Sequence, residues 1–201
     1  MVATKPDSSG RTSRTPSTAA EIGVVMPAHE ASATLVRAVE SIQEQTCPDW
    51  RMVIVDDGST DDTGAIAGNL ARNDRRIQLV TLPRVGIVAA LKRGLAGLDT
   101  PLIARMDADD VALPGRFESQ RNHLRRHGDL DAVGCLVALD GFQGEAGGGM
   151  AHYVEWNNSL VSAEAIELQR FVESPLIHPT LMARRQAFER YGGYRDGDFP
   201  E

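Results

Sequence analysis

The stretch Leu102-Ile103-Ala104-Arg105-Met106-Asp107-Ala108-Asp109-Asp110 is a short, largely apolar run that breaks into three carboxylates within four residues. Such a run reads as a buried strand that stops at a surface crevice. Open α/β sheets bind ligands outside the carboxyl ends of their strands, so burying this strand also places its acids in a site. Asp107 and Asp109, at alternating positions, can share a hard cation that keeps places free for phosphate oxygens. A solvated turn is the simpler reading of an isolated D-x-D, and the surrounding chain decides between the two. Two other readings of these residues are set aside. A phosphatase with an aspartyl nucleophile would need a lysine and a second acidic pair downstream, and the chain offers no convincing set. Glu118 follows Asp107 by eleven residues, as in an EF-hand loop, but Val111 and Ala112 stand where that loop needs a ligand and a glycine.

The segments before the acids supply the sheet. Residues 22–27 read as a first buried strand ended by Pro27. Ser32 caps a helix in which Leu35, Val36, Val39 and Ile42 repeat at helical spacing. Residues 50–55 form a second strand that runs into Asp56-Asp57-Gly58-Ser59-Thr60-Asp61-Asp62-Thr63, a turn capping the next helix. Residues 77–82 give a third strand, residues 86–98 a helix, and Thr100-Pro101 starts the acid-bearing fourth strand. These four strand-then-helix units predict an α/β fold with a doubly wound, mostly parallel sheet flanked by helices.

Beyond the acids the alternation is less regular. Leu113-Pro114 opens a helix to about His127, residues 132–139 read as a strand, and the glycine-rich residues 140–150 read as a mobile loop. Ser162 caps a helix through Val172, a short strand covers 181–183, and a helix over 186–191 precedes Gly192-Gly193-Tyr194. Residues 1–20, rich in Ser, Thr, Pro and basic side chains, read as a disordered tail ahead of one domain over 21–201.

Composition excludes several classes. The formal charge of −7 comes without a basic stripe, so no nucleic-acid partner is expected. Cys47 and Cys135 are too few for a disulfide framework, which makes a reducing cytoplasm the default setting. No apolar run approaches the ~20 residues that span a bilayer, which leaves peripheral contact with a membrane open.

Pro27-Ala28-His29-Glu30, Asp56-Asp57-Gly58-Ser59 and Asp107-Ala108-Asp109 each follow a strand expected to be parallel, so all three fall along one rim. None is a glycine-rich phosphate cradle, and a nucleotide held there needs side chains and a metal. With Ile177-His178-Pro179-Thr180 and Gly192-Gly193-Tyr194 following in order, this set resembles the family 2 glycosyltransferases, inverting enzymes of GT-A (Rossmann-like) fold. The resemblance implies transfer of a sugar from a nucleotide-diphosphate sugar, with a lean toward uridine diphosphate, to a saccharide or lipid-linked saccharide acceptor. It assigns Pro27, His29 and Glu30 to the nucleoside, Asp57 or Asp56 to the base, and Asp107 to the ribose side. Asp109, with Asp107, is assigned to Mg²⁺ or Mn²⁺ on the diphosphate. Arg84 is read either as a diphosphate contact or as a solvated loop residue.

His29 replaces the family's usual tyrosine, and Lys92 its usual asparagine. By the same resemblance, residues 21–112 form the nucleotide-sugar half and 113–201 an incomplete acceptor half. The general base is expected just after Glu201, so the chain is read as truncated, with Asp196 and Asp198 short of the position. A non-catalytic nucleotide-sugar-binding module is the alternative. A sugar-phosphate nucleotidyltransferase is disfavoured, because residues 26–30 contain no glycine.

Overall fold

The computed structural model describes residues 20–139 and 149–195. The expected tail, most of the glycine-rich loop, and Asp196, Asp198 and Glu201 lie outside these. The elements are β1 (Ile22–Ala28), α1 (Leu35–Gln43), β2 (Trp50–Asp57), α2 (Thr63–Asn73), β3 (Ile77–Leu82), α3 (Ile87–Ala96) and β4 (Leu102–Arg105). They continue with α4 (Arg116–Arg126), β5 (Ala132–Val133), α5 (Gly149–Ser159), α6 (Ala163–Gln169), a 3-10 turn (His178–Thr180), β6 (Met182–Arg184) and α7 (Arg185–Tyr191).

The sheet runs β3-β2-β1-β4-β6-β5. β1 pairs in parallel with β2 and β4, and β2 with β3, whereas β6 runs antiparallel to β4 and to β5. The parallel strands are apolar on both faces because both are covered. Side chains alternate accordingly. Val24, Met26, Met52, Ile54, Ala104 and Met106 join one core with α1, α2 and α4. Val25, Val53, Val55 and Ile103 join a second core under α3, with Phe188 and Tyr194 packed at its margin. α3 comes so close to the sheet that a Cβ on Gly94 would lie 2.5 Å from Val25.

Several expectations shift. β1 continues through Pro27 to Ala28. The Val25 carbonyl accepts from Met106 N–H at 3.1 Å, and Pro27 turns its nitrogen the same way, where β4 has already left the sheet. The missing N–H therefore costs no ladder bond. Ser32 does not cap α1, which starts at Leu35; its own N–H donates to Asp61 Oδ2 at 3.1 Å. The expected strand over 132–139 is only the two residues of β5. Past it, the Asn158 amide takes both backbone groups of Val137, at 3.0 and 2.8 Å, and Leu136 is left 65% exposed. The helix capped by Ser162 ends at Gln169 rather than Val172, and it buries none of its residues.

Candidate functional site

Because β2, β1 and β4 are adjacent and parallel, the loops that follow them share one edge of the sheet. Hydrogen bonds lock the first two loops together. Glu30, with φ of 51°, donates its N–H to Ser59 Oγ at 3.1 Å. Its carboxylate accepts from the Thr60 N–H at 2.6 Å and the Thr60 hydroxyl at 3.0 Å. Asp61 bridges in the same way between Ser32 N–H and Thr63 N–H, and hydrogen bonds from the side chains of Thr63 and Ser32, more than these backbone bonds, hold its carboxyl well below the usual range.

Asp56 and Asp57 are both buried at the end of β2. Asp56 Oδ1 accepts from Ser59 N–H at 3.1 Å and closes the turn. Asp57 accepts from the Val85 N–H at 2.8 Å, the Gly86 N–H at 3.0 Å and Arg84 Nη1 at 3.0 Å. A carboxylate offers roughly four acceptor directions, so about one remains for anything else. Arg84 thus stands against the end of β2, two strands from β4. Gly58 makes this junction close: its φ is +69°, and a Cβ there would lie 2.5 Å from the Arg84 nitrogen.

At the end of β4, Ala108 packs into the core and turns its two neighbours outward. Asp107, Asp109 and Asp110 bring carboxylate oxygens within 4.8 Å of one another. Burial pushes the Asp107 carboxyl up against the pull of Arg105, and burial with the charge of Asp109 pushes Asp110 up. Carboxylates crowded until two of them resist ionisation suit a divalent cation, which takes oxygen ligands and removes that repulsion. The donor set fits Mg²⁺ or Mn²⁺.

A buried polar frame holds this loop. Ser41 Oγ accepts from Ala112 N–H at 3.0 Å; Gln45 donates to the Leu113 carbonyl at 2.8 Å and accepts from Phe117 N–H at 3.0 Å. Arg116 reaches the Arg105 carbonyl and the Pro179 carbonyl, both at 2.8 Å, and so ties β4 to the turn before β6. Glu118 accepts from the Thr46 hydroxyl at 3.0 Å. Arg116 and Glu118 therefore brace the acids from behind.

Arg105, 4% exposed, turns beneath the rim and pairs with Asp107. His178 and Tyr194, whose rings meet edge to face at 5.6 Å, both lie within reach of its charge. Burial, with the charge of Arg105, pushes His178 down to about 4, so the imidazole is neutral near pH 7. Burial pushes the Tyr194 hydroxyl up to about 12. Arg105 Nε and Tyr194 Oη are sealed from solvent with no hydrogen-bond partner among the described residues.

Of the residues expected from sequence, Pro27, His29, Glu30, Asp56, Asp57, Asp107 and Asp109 all reach this edge, and Arg84 reaches it beside Asp57. Asp110 joins the acids, although the D-x-D reading passed over it as a ligand. Arg105 and Tyr194 were missed: in sequence they are a charge inside a strand and part of a turn motif. Trp50 is buried at the opposite end of β2 under the Arg76 guanidinium. Trp156 packs at 5.9 Å against Tyr153, and Cys47 is buried, accepting from Arg121.

The family model described as "Glycosyl transferase family 2" matches residues 23–192. The chain belongs to this family. It is 29% identical over 178 residues to the putative glycosyltransferase EpsE of Bacillus subtilis, covering 87% of this chain and 60% of that protein. It is 28% identical over 179 residues to the O-antigen biosynthesis glycosyltransferase WbnJ of Escherichia coli, covering 88% and 66%. Among solved structures, S. aureus TarS 1–349 superposes with a TM-score of 0.69 at 16% identity, over 90% of this chain and 52% of that one. The mannosyltransferase PcManGT of Pyrobaculum calidifontis, in complex with GDP-Man and Mn²⁺, gives 0.65 at 21% identity, over 89% and 48%. These likenesses establish the GT-A fold. The chain thus spans about 60% of the first relative and about half of these structures. Among the described residues, no helix is long and apolar enough to cross a membrane.

Proposed function

We propose that this chain carries the donor-binding site of an inverting, metal-dependent glycosyltransferase that moves a sugar from a nucleotide-diphosphate sugar to a hydroxyl acceptor. The observation that carries this is the cluster of Asp107, Asp109 and Asp110 at the end of a central parallel strand, in a chain of this family. That PcManGT was solved with GDP-Man and Mn²⁺, and TarS with UDP-GlcNAc, supports both the metal and the donor class.

In this reading, Asp109 and Asp110 would hold Mg²⁺ or Mn²⁺ with Asp107, and such a cation would neutralise the charge that grows on the departing diphosphate. Arg105 keeps Asp107 in place. Pro27 and His29 face the nucleoside, while Glu30, locked to Thr60, fixes the loop beneath it. Asp57, with its remaining acceptor direction, meets the base. Arg84 walls that pocket rather than the diphosphate, because it is bound to Asp57 at the β2 end. Inversion requires a carboxylate on the face opposite the leaving group to take the acceptor's proton. The acceptor is a saccharide or lipid-linked saccharide, as in polysaccharide or glycoconjugate synthesis, on the cytoplasmic side.

Calorimetric titration with UDP and with GDP, each with and without Mn²⁺, tests the reading. At least one nucleotide should bind only with the metal, and Asp109→Ala should abolish that binding while leaving the circular dichroism spectrum unchanged. Equal affinity with and without Mn²⁺ would sink it.

A further inference from the structure

Away from the rim, the end of α4 brings two imidazoles together. His123 and His127 stand four residues apart, so both project from one face of the helix. The His127 N–H donates to the His123 carbonyl at 3.0 Å, and this bond, which closes α4, fixes the spacing. The ring centroids lie 4.5 Å apart, with the planes tilted by 33°. His127 is exposed and His123 half-buried, so both rings can be reached from solvent. Among the described residues, neither ring is held by a hydrogen bond or an ion pair.

A divalent transition metal takes imidazole nitrogens at ~2.0–2.1 Å, so two of them on one ion lie ~3 Å apart. Centroids at 4.5 Å allow that approach, because each nitrogen stands off its centroid and the outer torsion of histidine turns broadly. The field favours a cation, since the C-terminal end of a helix carries about half a negative charge. The cations nearby are engaged elsewhere. Arg125 binds Glu21 at 2.7 Å, Arg126 the Asn122 carbonyl at 3.2 Å, and Arg184 the Leu124 carbonyl at 2.6 Å. Imidazole suits zinc, nickel and copper, whereas carboxylates suit magnesium and manganese. The acids of the rim precede α4, and the two histidines lie at its far end, roughly 16 Å along the axis from Arg116. One ion cannot serve both places.

We infer that His123 and His127 form a metal site separate from the acids of the rim, a two-imidazole clip for a divalent transition-metal ion such as Zn²⁺ or Ni²⁺. Among the described residues, no third histidine, cysteine or carboxylate joins them, so water completes the coordination of the ion. The clip ties consecutive turns at the end of α4, where helices fray. Arg184 also reaches the His127 carbonyl, at 3.4 Å, so the turn that the ion stiffens is already anchored to β6. None of the rim residues takes part, and the site stands or falls apart from donor binding.

The full chain is titrated calorimetrically with Ni²⁺ as the parent, His123→Asn and His127→Asn. Each substitution should weaken one Ni²⁺ site by about tenfold or more, because a single imidazole cannot chelate. Ni²⁺ taken up by the acids is common to all three proteins and cancels in the comparison. Saturating Ni²⁺ should also raise the melting temperature more in the parent than in either variant. In the parent, Zn²⁺ should move the ring-proton resonances of His123 and His127 together, a readout that needs no variant. Unchanged Ni²⁺ affinity in either variant would overturn the clip. A loss of only about twofold in each would overturn it too, because the imidazoles would then act separately. Movement of one ring alone on adding Zn²⁺ would do the same.

Discussion

The rim made by β2, β1 and β4 and the helical segment of α5 and α6 solve the problem of loop polarity in opposite ways. On the rim, Glu30, Asp56, Asp57 and Asp61 each accept from a backbone N–H, in all but Asp56 reaching a neighbouring segment, and buried Ser41, Gln45 and Arg116 brace the acid loop from below. α5 and α6 together bury only Asn157, and Val161, Leu168, Phe171 and Val172 stand exposed. A binding edge must hold charges at fixed positions, and a network of buried, satisfied polar groups does this better than apolar packing alone. The second segment has few buried contacts, which places it at the low end of local stability. Hence the difference between the two can be measured.

The largest effect is expected at Arg116. It is the one described side chain whose guanidinium joins β4 to the turn before β6, through two carbonyls. Arg116→Met keeps the length and loses both of these bonds, together with the one to Gln120 Oε1, leaving the carbonyls of Arg105 and Pro179 without this donor. Hydrogen bonds to a charged donor contribute ~1.5–3 kcal/mol each, so the loss should be about 3 kcal/mol by urea unfolding. A loss below about 1 kcal/mol would mean that the rim is no more firmly braced than the helices.

Asp57→Asn comes next. The amide keeps the shape but exchanges an acceptor oxygen for an N–H donor that faces Arg84 or a backbone N–H. One donor is left unsatisfied in a site only 2% exposed, at a cost of ~1–3 kcal/mol. Both unfolding stability and nucleotide affinity should fall, since Asp57 shapes the loop and, on the proposed reading, also faces the base. A fall in affinity with stability intact would assign Asp57 to the ligand alone.

How much of this was legible in the chain follows the same division. β1 to β4 could be read because buried parallel strands are near-continuous apolar runs, and the three rim segments because each ends such a run. Residues 132–139 misled because their apolar pattern implied burial, whereas Asn158, distant in sequence, takes the backbone of Val137 out of any ladder. Ser32 looked like a cap because local chemistry favours it, but α1 starts at Leu35, and Asp61 on another loop binds both the side chain and the N–H of Ser32. Arg105 could not be recognised from periodicity, since only the pairing of β4 shows that it turns beneath Asp107 toward Tyr194. Such long-range polar contacts leave no local signal.

A pH profile sharpens the comparison at the edge of the rim. The His178 pKa falls from 6.5 to about 4 on folding, so the unfolded chain takes up a proton first as the pH drops. Stability from this group is full above about pH 6.5 and is lost as the pH falls toward about 4. His178→Asn should flatten that part of the urea-midpoint profile relative to the parent. Asp107 and Asp110, whose carboxyls are pushed up, act in the opposite direction in both proteins, and the difference between the profiles removes them. Identical profiles would mean that the imidazole is not held beside Arg105 and Tyr194 in solution.

The smallest effect is expected at Phe171, and it probes the other side of the comparison. This residue follows α6, is 85% exposed, and touches Arg170, whose guanidinium lies 4.8 Å from its ring. Exposed side chains outside any packed or hydrogen-bonded feature change stability by less than about 0.5 kcal/mol when replaced. Phe171→Ser should therefore leave the unfolding midpoint unchanged, and amide exchange in α6 should remain faster than in β1 and β2 in both proteins. A large aromatic ring left in water is also an attachment point, and contiguous apolar surface of this kind favours association. Light scattering at increasing protein concentration separates the two cases. If the parent self-associates and Phe171→Ser does not, the ring is covered in solution, and the contrast between a fixed rim and a loosely held helical segment applies only to the isolated chain.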